Sequence, residues 1–303
     1  MNRANRAAAA LLALGLAAGA GAAGPGEPPP LRVVTLSTVL TEIAREVGGA
    51  GVGVTGLVQP GVDPHTFNPS PADIRAVVDA DIVLASGLNL EPYLGRLVRN
   101  AGPRVRIVAV GDAVPVILTE PPVGGERDPH WWLCIDDMLS AVDTVRSEFS
   151  RARPSGAGAF GRNARAYGLR LSALKAWVSR EVSALPPERR QLVTSHDAFG
   201  YFAHDYGFTV HPVVGISTES EADARRVAGL VDVIRRERIR AVFAESSANP
   251  RIVRDLLDET GVRLGGTLYA DGLGPAGSGA DTYEAMVRLD VREIVGALQG
   301  PGG

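Results

Sequence analysis

The sequence predicts an α/β protein with two lobes, each built on a parallel sheet, and one long helix that joins them. Short β-rich segments alternate with amphipathic segments in both the first and the last part of the chain. This alternation is the order of right-handed βαβ units and therefore of parallel sheets. Between the two series lies a helical stretch, residues 157–185, which at about 1.5 Å per residue would extend about 40 Å.

The first series contains four predicted strands and four predicted helices. Short apolar runs predict strands at residues 31–36, 52–58, 81–85 and 104–110. Helices are predicted at residues 38–47, 71–80, 92–100 and 135–149. Ser37 can cap the first of these helices, and Ser70 followed by Pro71 opens the second. Residues 115–129 are rich in proline and glycine, which predicts an irregular segment.

The long helix separates the two lobes and ends at Pro186-Pro187, since proline cannot continue a helix. Beyond it, strands are predicted at residues 192–194, 209–214, 241–244 and, from a weaker pattern, 263–268. Helices are predicted at residues 198–206, 222–236, 250–260 and 282–298. The expected division is therefore an N-terminal α/β lobe over residues 31–156, a linking helix over 157–186 and a C-terminal α/β lobe over 187–303.

Residues 1–24 form a predicted signal peptide that is cleaved near Ala23. Arg3 and Arg6 give a positively charged start, residues 7–18 are small and apolar, and small residues follow at the cleavage site. An uncleaved membrane anchor is the alternative, but the apolar run is shorter than the about 20 residues that a membrane helix needs. No cysteine lies near the cleavage site, which disfavours a lipid anchor. We expect an exported, soluble protein.

Charge and cysteine content exclude several classes of protein. A net charge of -3 gives no reason to expect nucleic-acid binding. Cys134 is the only cysteine, so the chain can form neither an intramolecular disulfide nor a cysteine-based zinc site. Because two tryptophans and a leucine precede it, we expect Cys134 to be a buried small hydrophobe. A reactive thiol is the alternative.

Three of the five histidines lie on loops at the ends of predicted strands. His65 and His130 each follow Asp-Pro directly, and His196 follows the apolar run 191–195. Asp271 lies in a glycine-rich loop after the last predicted strand, and α/β proteins bind ligands at the carboxyl ends of their strands. Imidazoles and a carboxylate that converge on one point can hold a divalent transition metal. The residues thus predict a metal site, with ordinary hydrogen-bonded loop histidines as the alternative.

Six sequence blocks resemble the TroA/ZnuA-like solute-binding proteins, the extracytoplasmic metal receptors of ABC importers for zinc and manganese. The blocks follow the order of that family and extend over nearly the whole chain after the predicted signal peptide. They are QPGVDPH (residues 59–65), DPHWWL (128–133), TSHDAFGYF (194–202), FAESS (243–247), YADGL (269–273) and DTYEAM (281–286).

The resemblance implies two α/β lobes bridged by a rigid helix, with one metal ion buried at the lobe interface. It assigns His65 and His130 of the first lobe, and His196 and Asp271 of the second, as the metal ligands. Family members with glutamate at the third position tend to be manganese or iron receptors. With His196 there, three imidazoles and one carboxylate suit Zn(II) in a closed tetrahedral site. A manganese or iron receptor of the same family is the alternative.

From the resemblance we also expect a periplasmic, monomeric protein that delivers its metal to the membrane permease of an ABC importer. A metallochaperone is a further candidate partner. Two features depart from the family pattern. Residues 121–128 contain no histidine, so the metal-capturing histidine-rich loop of many zinc receptors is missing from this stretch. Cys134, Ile135 and Asp136 stand where the family usually has Asp-Pro, which affects local capping but not His130.

Other residues near the predicted site have expected supporting roles. Glu245 ends a predicted strand and is expected to hydrogen-bond a ligand imidazole from behind, with direct ligation as the alternative. Asp63 and Asp128 precede the two Pro-His pairs and are expected to orient those loops. His204 is predicted to be a surface residue and His211 a structural one.

Two other functions are alternatives to that of a metal receptor: those of a zinc hydrolase and of an adhesion or structural protein. A zinc hydrolase needs an open coordination position, whereas four protein ligands leave none for water. The chain also lacks a His-Glu-x-x-His helix and a Gly-x-Ser-x-Gly turn. An adhesion or structural protein without metal would have no need for converging loop ligands. The sequence therefore favours a receptor over an enzyme.

Overall fold

The computed structural model describes residues 29–119, 125–218 and 224–299, and the predicted signal peptide lies outside these ranges. Within them, no helix combines the length and the apolar character needed to cross a membrane. The described chain folds into two parallel sheets flanked by helices. This architecture confirms the predicted α/β class with two lobes.

The first sheet has four parallel strands in the order β2-β1-β3-β4. Its strands are β1 (Leu31–Thr35), β2 (Val52–Gly56), β3 (Ile82–Ala85) and β4 (Arg106–Ala109). The helices between them are α1 (Thr38–Gly48), α2 (Pro71–Asp79) and α3 (Leu94–Asn100). Ser37 caps α1 by accepting from Leu40 N, and Ser70 forms a capping box with Asp73 at α2. Both helix starts were expected from the sequence.

Two long helices follow the first sheet, α4 (Ile135–Ala152) and α5 (Ala157–Ser183). The 27 residues of α5 correspond to about 40 Å of helix. One face of α5 is buried, through Phe160, Tyr167, Leu171, Leu174, Val178 and Val182. That face packs against α1 and α4 on the side of the first sheet and against the last helix of the chain on the side of the second. The predicted long helix is confirmed, while its limits as a linker between domains stay a prediction.

The second sheet repeats the topology of the first, with four parallel strands in the order β6-β5-β7-β8. Its strands are β5 (Gln191–Thr194), β6 (Thr209–Pro212), β7 (Ala241–Glu245) and β8 (Arg263–Leu268). Its helices are α6 (Gly200–Tyr206), α7 (Ala224–Arg236), α8 (Pro250–Thr260) and α9 (Tyr283–Gln299). In each sheet the strand that comes first in the sequence, β1 or β5, pairs with the second and the third strand of its lobe. Because all strands of a sheet are parallel, their carboxyl ends and the loops that follow them lie at the same edge.

Several element ends differ from the prediction by one to three residues, and three of these differences have a visible local cause. Strand β2 stops at Gly56 because Leu57 and Val58 turn into the buried base of the following loop. Helix α3 starts at Leu94 because residues 91–94 form a turn in which Leu94 N donates to Glu91 O. Helix α6 starts at Gly200, since Ala198 N donates back to His196 O instead of continuing a helix.

Hydrogen bonds join the two lobes and α5 around Glu42 of α1. The Glu42 carboxylate accepts from Tyr283 N at the start of α9 at 2.9 Å and from Tyr167 Oη on α5 at 2.8 Å. One helix end of the second lobe is thus capped by a side chain of the first. Burial raises the pKa of Glu42, and the two donated hydrogen bonds oppose that rise. The junction fixes the position of the lobes relative to the long helix.

Candidate metal centre

Four buried side chains converge between the lobes. Three come from loops that follow strands, as expected, whereas His130 lies in the segment before α4, 21 positions after the end of β4, so the expectation of a strand end is wrong for this histidine. The four are His65 after β2, His130 before α4, His196 after β5 and Asp271 after β8. Each can offer one ligand atom, and these atoms all lie within 4.8 Å of one another. The structure therefore brings together the four residues that the sequence predicted as a site, two from each half of the chain.

Five of the six distances among the ligand atoms are those of a tetrahedron, and all six are within 4.8 Å. His65 Nε2 lies 3.2 Å from both His130 Nε2 and Asp271 Oδ1. His130 Nε2 and His196 Nε2 are 3.3 Å apart, and each is 3.3 Å from Asp271 Oδ1. The centre of a regular tetrahedron with such edges lies about 2.0 Å from each vertex, which is the bond length of zinc to nitrogen or oxygen. Five of the six edges thus fit a small four-coordinate cation.

His65 and His130 are presented by the same local turn. The carboxylate of Asp63 accepts from His65 N at 2.8 Å, and that of Asp128 accepts from His130 N at 2.9 Å. An aspartate that bonds the backbone two residues later forms an Asx turn, and the proline between restricts the backbone further. The expectation that Asp63 and Asp128 orient the two loops is confirmed.

Two carboxylates also set which nitrogen of an imidazole faces the centre. Asp128 Oδ1 lies 2.7 Å from His130 Nδ1, and Glu245 Oε2 contacts His196 Nδ1. Because a carboxylate accepts, Nδ1 of each ring carries a proton, so the neutral form of each ring has its Nε2 lone pair toward the cluster. Glu245 also accepts from His196 N at 3.2 Å. It lies behind the imidazole, as expected, and outside the group of four.

The Asp271 loop is held by groups that the sequence did not single out. Asp271 Oδ1 faces the three imidazoles, and Ser247 Oγ donates to Asp271 Oδ2. Thr38 Oγ1 accepts from Leu273 N at 2.8 Å. At Gly272 the backbone φ is 146°, and a Cβ there would collide with the Thr38 hydroxyl. The glycine lets the loop approach the other lobe this closely.

Further contacts close the site from both lobes. Thr218 Oγ1 donates to Asp63 Oδ2, which ties the second half of the chain to the His65 loop. Trp132 packs edge-on against the His130 ring at 5.4 Å between centroids and donates from Nε1 to Ala270 O at 2.8 Å. Both tryptophans of the DPHWWL block are fully buried, so they pack the core beside the site. Water is thereby excluded from one side of the cluster.

Interactions between the buried charged groups shift the pKa values of three members of the cluster. Burial opposes protonation of His130, but its hydrogen bonds to Asp128 and Asp271 outweigh burial and raise its pKa. For His196, burial is likewise outweighed by attraction to Glu245 and Asp271, so its pKa is raised well above the ordinary value. Burial favours the neutral acid at Asp271, yet attraction to His196 and hydrogen bonds from the three imidazoles hold its pKa well below the ordinary value. The site therefore stabilises positive charge.

The remaining singled-out residues lie outside the cluster. His204 is exposed and pairs with Asp205, and His211 lies 2.7 Å from Gln191 Oε1 between β5 and β6. Cys134 is a buried free thiol whose pKa is raised by burial. All three match their expected surface, structural and buried roles.

The whole chain resembles known metal-binding proteins. The sequence model of the family described as "Zinc-uptake complex component A periplasmic" (ZnuA) matches residues 33–297. The manganese-binding lipoprotein MntA of Bacillus subtilis is 37% identical over 93% of this chain and 94% of its own length. The zinc-binding protein TroA of Treponema pallidum is 35% identical over 97% of this chain and 98% of its own, and the iron-binding protein YfeA of Yersinia pestis is 31% identical over 87% and 85%.

Solved structures agree with the sequence comparison. The periplasmic zinc-binding protein TroA of Treponema pallidum superposes with a TM-score of 0.83 at 34% identity, over 89% of this chain and 99% of that one. The Mn-bound periplasmic metal-binding protein of Candidatus Liberibacter asiaticus gives a TM-score of 0.81 at 25% identity, over 88% and 98%. Matches of this extent confirm the family that the sequence blocks indicated. The chain therefore belongs to the ZnuA/TroA family of metal-binding solute-binding proteins that serve ABC importers.

Proposed function

We propose that this protein captures one Zn(II) ion between its lobes and delivers it to the permease of an ABC importer. The observation that carries the proposal is the closed group of four buried ligand atoms with edges of 3.2–3.3 Å in five of six cases. In this proposal the metal is cargo, so the fold needs to bind it tightly but reversibly.

The donor set supports zinc as the cargo. Three imidazole nitrogens and one carboxylate oxygen suit zinc in a tetrahedral site, whereas manganese prefers more oxygen donors in octahedral geometry. Nitrogen-rich sites also bind zinc more tightly than manganese in general. The relatives named for manganese and iron support the second candidate, a manganese or iron receptor with the same four ligands.

Each ligand has an assigned role in the proposal. His65, His130 and His196 bind through Nε2 and Asp271 through Oδ1. Asp128 and Glu245 keep Nδ1 protonated on two of the imidazoles and, as anions, increase their basicity toward the metal. A bound dication would offset the negative charge of the buried carboxylates of Asp128, Glu245 and Asp271.

A catalytic role is not part of the proposal. Catalytic zinc keeps one coordination position for water or substrate, and four protein ligands occupy all positions of a tetrahedral site. A zinc hydrolase would need one of the four to leave the metal. Membership of a family of transport receptors supports the same conclusion.

The protein is proposed to act outside the cytoplasm, together with a membrane permease. The predicted signal peptide, cleaved near Ala23, would place a soluble monomer in the periplasm, with the permease as its main partner and a metallochaperone as a further one. Because Glu42 and Thr38 tie the second lobe to the first, we infer a modest closure around the metal and release triggered at the permease.

The test is a competitive titration of the purified mature protein after chelation of all metal. We expect one zinc ion per chain by elemental analysis and tighter binding of zinc than of manganese. Preference for manganese would keep the receptor and overturn the choice of metal. No stoichiometric metal after reloading would overturn the receptor itself.

A further inference from the structure

We infer that Ser247 is a specificity-determining residue, which keeps Asp271 bound to the metal through one oxygen and thereby favours zinc over manganese. The inference rests on the proposed function, since it concerns the same site. Ser247 lies two residues beyond Glu245, at the loop that follows β7, and Ser247 Oγ donates to Asp271 Oδ2.

The two oxygens of Asp271 have different partners. Oδ1 lies 3.2–3.3 Å from all three Nε2 atoms, while Oδ2 is occupied by the Ser247 hydroxyl. A carboxylate that binds a metal through both oxygens must turn both toward the ion. The Ser247 hydrogen bond holds one of them toward β7 instead. The site therefore offers four donor atoms and not five.

The carboxylate of Asp271 can turn more easily than the backbone that carries it. The backbone of the loop is fixed by the hydrogen bond of Leu273 N to Thr38 and by the tight approach at Gly272. Rotation of an aspartate carboxylate about its terminal torsion is soft, with a broad energy minimum. A single hydrogen bond from a hydroxyl to a charged carboxylate is therefore enough to select one orientation.

Coordination number separates the two metals. Zinc is satisfied by four tetrahedral ligands, whereas manganese prefers six and gains from each added oxygen donor. A fifth donor from Asp271 Oδ2 would thus help manganese more than zinc. Because Ser247 holds Asp271 Oδ2 away from the metal position, the fifth donor is missing and the preference for zinc over manganese increases.

The test compares Ser247→Ala with the wild-type protein in competitive zinc and manganese titrations. We expect the ratio of the manganese to the zinc dissociation constant to fall by about tenfold in the variant, since the loss of a residue behind a metal ligand changes affinity by about 10- to 100-fold and here should affect the two metals unequally. Cobalt(II) provides a second readout, because four-coordinate cobalt absorbs visible light more intensely than five-coordinate cobalt. The cobalt absorption should weaken in Ser247→Ala.

Two further variants separate this role from a general loss of structure. Ser247→Thr keeps the hydroxyl and should keep both the metal ratio and the cobalt spectrum of the wild type. Ser246→Ala removes the neighbouring, exposed hydroxyl and should also change neither. An equal loss of affinity for both metals in Ser247→Ala, or an unchanged ratio and spectrum, would overturn the inference alone. A wild-type protein that takes up no metal would overturn the proposed function and the inference with it.

Discussion

Replacing His196 by alanine should weaken zinc binding by at least about 100-fold. The loss of a residue behind a metal ligand costs about 10- to 100-fold in affinity, and the loss of the ligand itself costs more. His196 is fully buried, so its truncation leaves an internal gap in the ligand set that none of the other three converging side chains is placed to fill. The variant also leaves the buried Glu245 carboxylate without its imidazole partner. Isothermal or competitive titration of the folded variant measures the change.

His204→Ala is the matched control for this variant. His204 lies in the same lobe, eight positions later, but its side chain is 75% exposed and pairs with the neighbouring Asp205. We expect wild-type zinc affinity for it. Equal affinity of His196→Ala and wild type would remove His196 from the metal site. A circular dichroism spectrum like that of the wild type would exclude misfolding as the cause of a loss.

Acidification should release zinc steeply, beginning at a pH above the ordinary imidazole pKa. In the metal-free protein, contacts with Asp128, Asp271 and Glu245 outweigh burial and raise the pKa of His130 and that of His196. Zinc needs both imidazoles neutral, so it must displace their protons. For two displaced protons, affinity falls by about 100-fold per pH unit below those pKa values.

The same pKa shifts predict how stability varies with pH. A raised pKa in the folded state stabilises the metal-free protein fully below the unfolded value of about 6.5, and this contribution is lost as the pH rises through the folded value. The gain in melting temperature on adding zinc should therefore grow as the pH rises. Thermal unfolding with and without zinc from pH 5.5 to 8.5 measures it, over a range of about 3 units. A constant gain would contradict histidine ligation.

Much of the fold was predictable because its signals are local. Alternating apolar runs and capping serines indicated the strands and helices, and the proline-bounded loops before His65 and His130 indicated where side chains would be presented. The order of strands within each sheet was not predicted. It depends on which strands pair, such as Val193 of β5 with Val242 of β7, and no local pattern specifies such a pairing.

The convergence of the four candidate ligands was predictable from family resemblance and, for three of them, from positions after strands, whereas the groups that orient them were only partly so. Glu245, Asp63 and Asp128 stand in recognisable positions. Ser247 and Thr218 do not, because a serine or threonine in a loop is common and its partner is distant in sequence. Thr218 lies 155 positions from Asp63, and Ser247 lies 24 from Asp271. The position of Ser247 in the FAESS block, shortly after the glutamate that ends a strand, was the sequence feature that could have indicated its role.

The most direct test of a zinc site between the lobes is anomalous diffraction from crystals of the zinc-loaded protein. Data collected just above and just below the zinc absorption edge locate zinc alone. We predict one peak per chain, about 2.0 Å from Nε2 of His65, His130 and His196 and from Oδ1 of Asp271. A peak elsewhere, or none at this cluster in crystals that contain stoichiometric zinc, would contradict it.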